Sequence, residues 1–225
     1  LTEELLFIPS AEYIKQKGLK TDRLRLVVSA VDKAGNKIQE TKQLVMDTVP
    51  PSWKWEFEGT SFSQDADTGK KYTRDPVSVK VTVNEKNFDP DQTVLTIERD
   101  ETREDIRFSD AESGMLSLAG DTEAGYSENE YTDNRVLTYI LRFPEEGDYT
   151  LSLRVKDKCG NAAGEGEPLA FVIDQTAPEV SITFEENQSL RNETYFRSPR
   201  TAVIVFRDRN PDMENMGIAL DTEDF

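Results

Sequence analysis

An all-β chain built from tandem antiparallel β-sandwiches is what this sequence predicts, and three observations predict it. Apolar residues alternate with period two, as in Val77, Val79, Val81 and Val83 interleaved with Ser78, Lys80 and Thr82; such alternation makes a half-buried strand. No apolar stripe of helical period stands beside these runs. Finally, a set of short motifs recurs in one order at a nearly constant spacing, the mark of a repeated unit.

The repeat is explicit. Val31-Asp32-Lys33-Ala34-Gly35-Asn36 returns as Lys156-Asp157-Lys158-Cys159-Gly160-Asn161, an offset of 125. Asp47 and the Pro-bearing stretch after it return at Asp174, an offset of 127, and Trp53, Trp55 and Phe57 map onto Val180, Ile182 and Phe184. Arg74-Asp75-Pro76 matches Arg197-Ser198-Pro199, which sets the run Val77–Val83 against Arg200–Phe206. Boundaries after Asp47 and Asp174 give segments 1–47, 48–174 and 175–225. The middle segment reads as one complete unit. The first reads as the C-terminal strands of a preceding unit and the last as the N-terminal strands of a following one, as in a slice of a longer array.

Taken in order, the first segment predicts strands around Leu5–Ile8, Leu24–Val31 and Lys42–Met46. The complete unit predicts six or seven: Trp53–Phe57, Val77–Val83, Val94–Ile97, Leu137–Phe143, Leu151–Val155 and Leu169–Ile173 are the clear ones. That number of short strands punctuated by turns indicates a sandwich. Asp157 and Gly160 occupy the first and fourth positions of a type I turn, with Gly160 free to take the left-handed conformation that closes a bulged hairpin. Asp32 and Gly35 repeat this. Tyr149 stands near the start of the penultimate strand, where a tyrosine corner would lie. Between residues 99 and 135 the pattern lapses into an acidic, Ser- and Gly-rich insertion, longer than an ordinary connection. Met115, Leu116 and Leu118 offer it a short strand or a docking point.

At the junctions, the order of penultimate strand, Asp-x-x-Gly-Asn hairpin, last strand ending in Met46-Asp47 or Ile173-Asp174, and Thr-x-Pro linker resembles bacterial immunoglobulin-like (Big-type) repeats of surface and adhesin-like proteins. The resemblance covers both junctions and their flanking strands, but not the insertion. It implies an immunoglobulin-like sandwich in each unit, export, an extracellular place at a bacterial cell surface, and a role as stalk or adhesion module. The Pro-bearing linkers, with φ fixed at Pro50, Pro51 and Pro178, fit a semi-rigid line of domains.

Composition narrows the function classes. The 27 Lys and Arg residues face 44 Asp and Glu, a formal charge of −17. Such a body repels phosphate backbones and shows no basic patch, which argues against nucleic acid. No apolar run has the length of a membrane span, so no membrane insertion is expected. One cysteine forbids an internal disulfide, and the absence of histidine removes the usual Ser-His and Cys-His nucleophile systems. The chain is therefore read as no enzyme, with no catalytic, cofactor or metal residue assigned.

Four features invite sharper readings. Trp53 and Trp55 share one strand face and could stack on sugars, but Val180 and Ile182 at the matching positions point to core. Cys159 occupies a hairpin tip where the other copy has Ala34, a small residue on an exposed turn or a thiol able to link chains. Lys54, a candidate for an isopeptide bond, alternates away from Trp53 and Trp55 toward solvent. The metal reading is interdomain calcium, for which Asp32 and Asp157 at the hairpins and Asp47 and Asp174 at the junctions supply hard oxygen donors; EF-hand spacing is absent.

The expected partners are a protein or glycan ligand met by the insertion or a hairpin end. Strand complementation between the first segment of one chain and the last segment of another is also expected, since open strand edges pair readily. The alternative reading is an accessory carbohydrate-binding or spacer module of a secreted carbohydrate-active enzyme.

Overall fold

Extended backbone sends successive side chains to opposite faces, so each period-two run can bury one face and wet the other. In the computed structural model, which describes residues 10–18, 24–110, 116–123, 135–185, 196 and 198–219, these runs are strands. The predicted strand at Leu5–Ile8 lies outside the described residues. The first element among the described residues is a short helix, α1 (Ala11–Gln16), capped where Ser10 Oγ accepts a hydrogen bond from the Tyr13 amide at 3.1 Å. Then β1 (Leu24–Val31) and β2 (Lys37–Leu44) form an antiparallel hairpin. The second strand starts and ends earlier than the Lys42–Met46 expected from apolar content. The tight Asp32–Gly35 turn sets where pairing begins, however polar the residues that follow.

Among its described residues the middle segment holds ten strands, not six or seven. They are β3 (Ser52–Phe57), β4 (Ser63–Gln64), β5 (Lys71–Thr73), β6 (Val77–Asn84), β7 (Val94–Arg99), β8 (Thr102–Arg107), β9 (Leu116–Glu123), β10 (Arg135–Phe143), β11 (Gly147–Arg154) and β12 (Leu169–Ile173). One sheet has the order β3-β6-β10-β9, the other β4-β5-β12-β11-β7-β8. All pairs in them are antiparallel except β5 with β12, which run parallel. The insertion thus extends both sheets: β8 pairs with β7 at one edge, and β9 pairs with β10. β8 escaped the periodicity because five of its six side chains are exposed and only Ile106 is buried. β9 is announced only by Leu116, which is wholly buried, while Leu118 is exposed. β4 and β5 are too short to show a period.

The two sheets face each other over an apolar layer. β6 contributes Val77, Val79, Val81 and Val83, and β10 contributes Leu137, Tyr139, Leu141 and Phe143. Opposite them stand Tyr149, Leu151 and Leu153 of β11 and Phe171 and Ile173 of β12. Phe171 ties the layers, its ring centroid 5.7 Å from Phe57 and 5.4 Å from Phe143, both edge-on. Burying each of these large side chains is worth about 1.5–3 kcal/mol, so this double layer is what holds the two sheets together. The result is an all-β, sandwich-like body. Tyr149 anchors one end of it: its hydroxyl donates to the Glu145 carbonyl at 2.9 Å, and Gly147 lets Arg99 pass so close that a Cβ would sit 2.8 Å from the guanidinium Nε.

The last segment adds the hairpin β13 (Glu179–Phe184) and β14 (Ala202–Arg207). Its register pairs Val180 with Phe206, Ile182 with Ile204 and Phe184 with Ala202. In β3 and β6 the pairs are Trp53 with Val83, Trp55 with Val81 and Phe57 with Val79, the same partners at the offsets read from the sequence. Likewise Leu24 faces Leu44 as Tyr149 faces Phe171. The difference lies in cover. β3 and β6 pack on a second sheet, whereas Val180, Ile182, Val27 and Val28 are exposed.

Candidate functional site

Three carboxylates from distant parts of the chain meet where the first segment joins the middle one. Asp47 stands in the linker after β2, Glu85 directly follows β6, and Asp157 opens the turn after β11. One oxygen from each lies within 4.8 Å of the others, and Glu85 and Asp157 are buried.

Each is placed by local structure. Asp157 Oδ1 accepts from the amides of Cys159 (2.9 Å) and Asn161 (2.8 Å), and Oδ2 accepts from the Asn161 side-chain amide at 2.6 Å. Gly160 closes this turn at φ 91°, a value that favours glycine. Glu85 Oε1 accepts from the Asn87 amide at 2.7 Å. Asp47 Oδ1 accepts from the Val49 amide at 2.9 Å, and its Oδ2 from the Asn87 side chain at 2.6 Å. Asn161 completes the ring by donating to the Asp47 carbonyl at 3.0 Å. Burial, and then the negative charges of Asp47 and Asp157, push the Glu85 carboxyl above the ordinary glutamate range.

Chemically the cluster has two ways to relieve its mutual repulsion. A proton can stay on Glu85, or a hard cation can share the oxygens, which are the donors calcium takes. Among the described residues this is the group with metal-holding geometry. Of the four aspartates named from sequence, the fold brings together Asp47 and Asp157. Asp32 instead serves its own hairpin, accepting from Ala34, Asn36 and the Asn36 side chain, and Asp174 belongs to the second junction.

That second junction repeats the first. Asp174 Oδ1 accepts from the Thr176 amide at 3.2 Å, and its Oδ2 from the Asn210 side chain at 2.7 Å. Asp208 Oδ1 accepts from the Asn210 amide at 2.7 Å, as Glu85 does from Asn87. Glu146 holds the linker through the Thr176 hydroxyl at 2.8 Å. Arg209 forms an ion pair with Asp100, the residue at φ 53° in the turn between β7 and β8. Around that pair lies an open polar groove of about 420 Å³, lined by Glu98, Glu101, Asp148 and Thr150 as well.

Glu85 and Asn87 were missed in the sequence. The signal was there: carried four residues past Val83, the 123-residue offset that aligns β6 with β14 sets Glu85 on Asp208 and Asn87 on Asn210. Trp53 and Trp55 are half-buried against the core, their rings edge-on at 4.9 Å. Lys54 is exposed, as alternation predicts, beside Glu56 at 3.7 Å. Cys159 is an exposed free thiol, its pKa pushed up by partial desolvation and by the Asp157 charge, which disfavours the thiolate.

No family model and no curated protein sequence matches the chain. Among the described residues, no helix is long and apolar enough to cross a membrane.

Proposed function

We infer that the chain is a non-catalytic structural and interaction segment of an exported bacterial surface protein, with serial immunoglobulin-like sandwich units acting as a stalk or adhesion module. The observation that supports this reading is the matched pair of junctions. Asp47 with Asn87, and Asp174 with Asn210, clamp each short linker to the loop after the second long strand of the next segment. A chain that only needs independent domains has no use for such clamps. A spacer does, because clamped linkers hold successive units in line. The glycan-module alternative would use Trp53 and Trp55, which pack half-buried against the core.

Small-angle scattering of the whole chain, at concentrations low enough to suppress association, tests the mechanical part. Wild type is expected to give one narrow extended distribution, and Asn87→Ala with Asn210→Ala a broader, shorter one. Identical curves would overturn the clamp as the source of stiffness. Antibody labelling of intact cells tests surface exposure: staining that needs permeabilised cells overturns it. Binding to a glycan array through Trp53 or Trp55 would favour the alternative.

A further inference from the structure

Two neighbouring residues after β14 are held by partners of different kinds. Asn210 is bound by Asp174 of the linker at 2.7 Å. Arg209 forms its ion pair with Asp100, 109 residues back in the chain. The first contact ties the last segment to the linker, which the middle unit holds in turn: Glu146 accepts from the Thr176 hydroxyl at 2.8 Å, and the Arg74 carbonyl from the Gln175 side chain at 3.4 Å. The second contact bypasses the linker and reaches the middle unit directly. One attachment leaves a body free to turn about it; a second one off the linker removes that rotation.

Asp100 is placed for this role. It stands in the two-residue turn between β7 and β8 at φ 53°, a left-handed conformation in which aspartate is enriched. Its amide donates to the Asp148 carbonyl at 2.9 Å, and its Oδ1 accepts from the Asp148 amide at 3.0 Å. The carboxylate is thus fixed against β11 by bonds that do not involve Arg209. The charges of Asp148 and Glu146 join that of Asp100 in favouring the guanidinium.

We propose that the β7–β8 hairpin, the first part of the insertion, is a docking surface for the segment that follows the middle unit, and that Asp100 with Arg209 is a salt-sensitive latch fixing the orientation of the second junction. The partner of this stretch of the insertion is then the neighbouring segment of the same chain. Salt sensitivity follows from exposure. The Arg209 and Asp100 side chains are 45% and 39% exposed, so ions reach the pair, and screening shortens from about 10 Å at 0.1 M salt to about 3 Å at 1 M. The Asp174–Asn210 clamp is a part-buried hydrogen bond to a neutral amide and feels salt less. The inference deepens the serial-unit reading and rests on it only in treating the last segment as a body of its own.

The test uses the full chain with Cys159→Ala, which removes its one cysteine. Nitroxide labels on Lys54→Cys in β3 and Ser181→Cys in β13, both exposed, let pulsed dipolar spectroscopy read the distance between the middle unit and the last segment. A narrow peak is expected at low salt, with a broad component growing as sodium chloride rises. Asp100→Asn, which keeps a residue suited to positive φ, and Arg209→Gln should each lower the ratio of narrow to broad component roughly two- to fivefold, the range for an exposed pair of good geometry. The double variant should lose no more than either single one. Glu104→Gln, the same charge change elsewhere on the hairpin, should leave the peak alone. A broad distribution in the wild type at low salt, single variants without effect, additive losses in the double variant, or an equal loss in Glu104→Gln would overturn the latch. Asn210→Ala reads the linker clamp separately: broadening there with none in Asp100→Asn overturns the latch and leaves the clamp standing.

Discussion

Asn87 donates its side-chain amide to the Asp47 carboxylate across 2.6 Å, although forty residues separate them. This bond joins the linker leaving the first segment to the loop that follows β6, and Asn210 with Asp174 repeats it at 2.7 Å. The linker aspartate is thereby a structural fixture at both junctions. Which hydrogen bonds are buried then decides what each substitution costs.

Asp157 and Asp32 make the same three turn hydrogen bonds in different surroundings. Asp157 is wholly buried and Asp32 is exposed. Asp157→Ala removes a fully buried acceptor that holds the part-buried Cys159 and Asn161 groups and should cost about 1–3 kcal/mol. Asp32→Ala, whose amides turn to water, should cost under about 1 kcal/mol. Urea unfolding of the two variants measures both; equal losses would mean burial is not the deciding factor.

The Glu85 carboxyl is held above its ordinary value of 4.5 chiefly by burial. A carboxyl that binds its proton more tightly folded than unfolded makes stability fall as pH rises from the unfolded value through the folded one. Glu85→Gln should therefore melt higher than wild type at pH 7, with the gap narrowing toward pH 4. Repeating the melts in chelator and in millimolar calcium separates the two ways of relieving the cluster. An upward shift for wild type that Glu85→Gln lacks assigns a cation to it; unchanged curves assign it to hydrogen bonding alone.

Gly166 lies against Trp53, where an added Cβ would come within 2.5 Å of two ring carbons. Gly166→Ala should displace the indole, shift tryptophan emission to the red and destabilise by about 1–3 kcal/mol. Gly164→Ala, with nothing within 4 Å of its Cβ, should leave the spectrum alone.

Phe171 is one of the rings through which the two sheets touch. Phe171→Ala should cost about 3–5 kcal/mol. Tyr149→Phe removes only the hydroxyl bonded to Glu145 and should cost about 0.5–1.5 kcal/mol. Thermal unfolding followed by far-UV circular dichroism ranks them; a Tyr149→Phe loss as large as that of Phe171→Ala would overturn this ordering.

Strong period-two runs such as Val77–Val83 announce themselves because burial on one face leaves a pattern that neighbours cannot erase. β8 left no such mark, since an edge strand with one buried residue takes its pairing from β7 and not from its own apolar content. The parallel contact of β5 with β12 is equally silent, being a meeting of segments about a hundred residues apart. At the site, Asp47 and Asp157 stood out as repeat positions and turn-formers. Glu85 joins them only through the crossing of β6 and β11 ends in space.

The sequence by itself determined the all-β class, the central strands, the turns at Gly35 and Gly160 and the matched linkers, because each depends on side-chain alternation or on local backbone chemistry. Tertiary structure alone decided that Asp32 and Asp157, identical in their hydrogen bonds, differ in kind. Asp157 is sealed beneath a linker with Glu85 and Asp47 for company, and in that low-dielectric setting its bonds and charge count for far more than those of Asp32 in water.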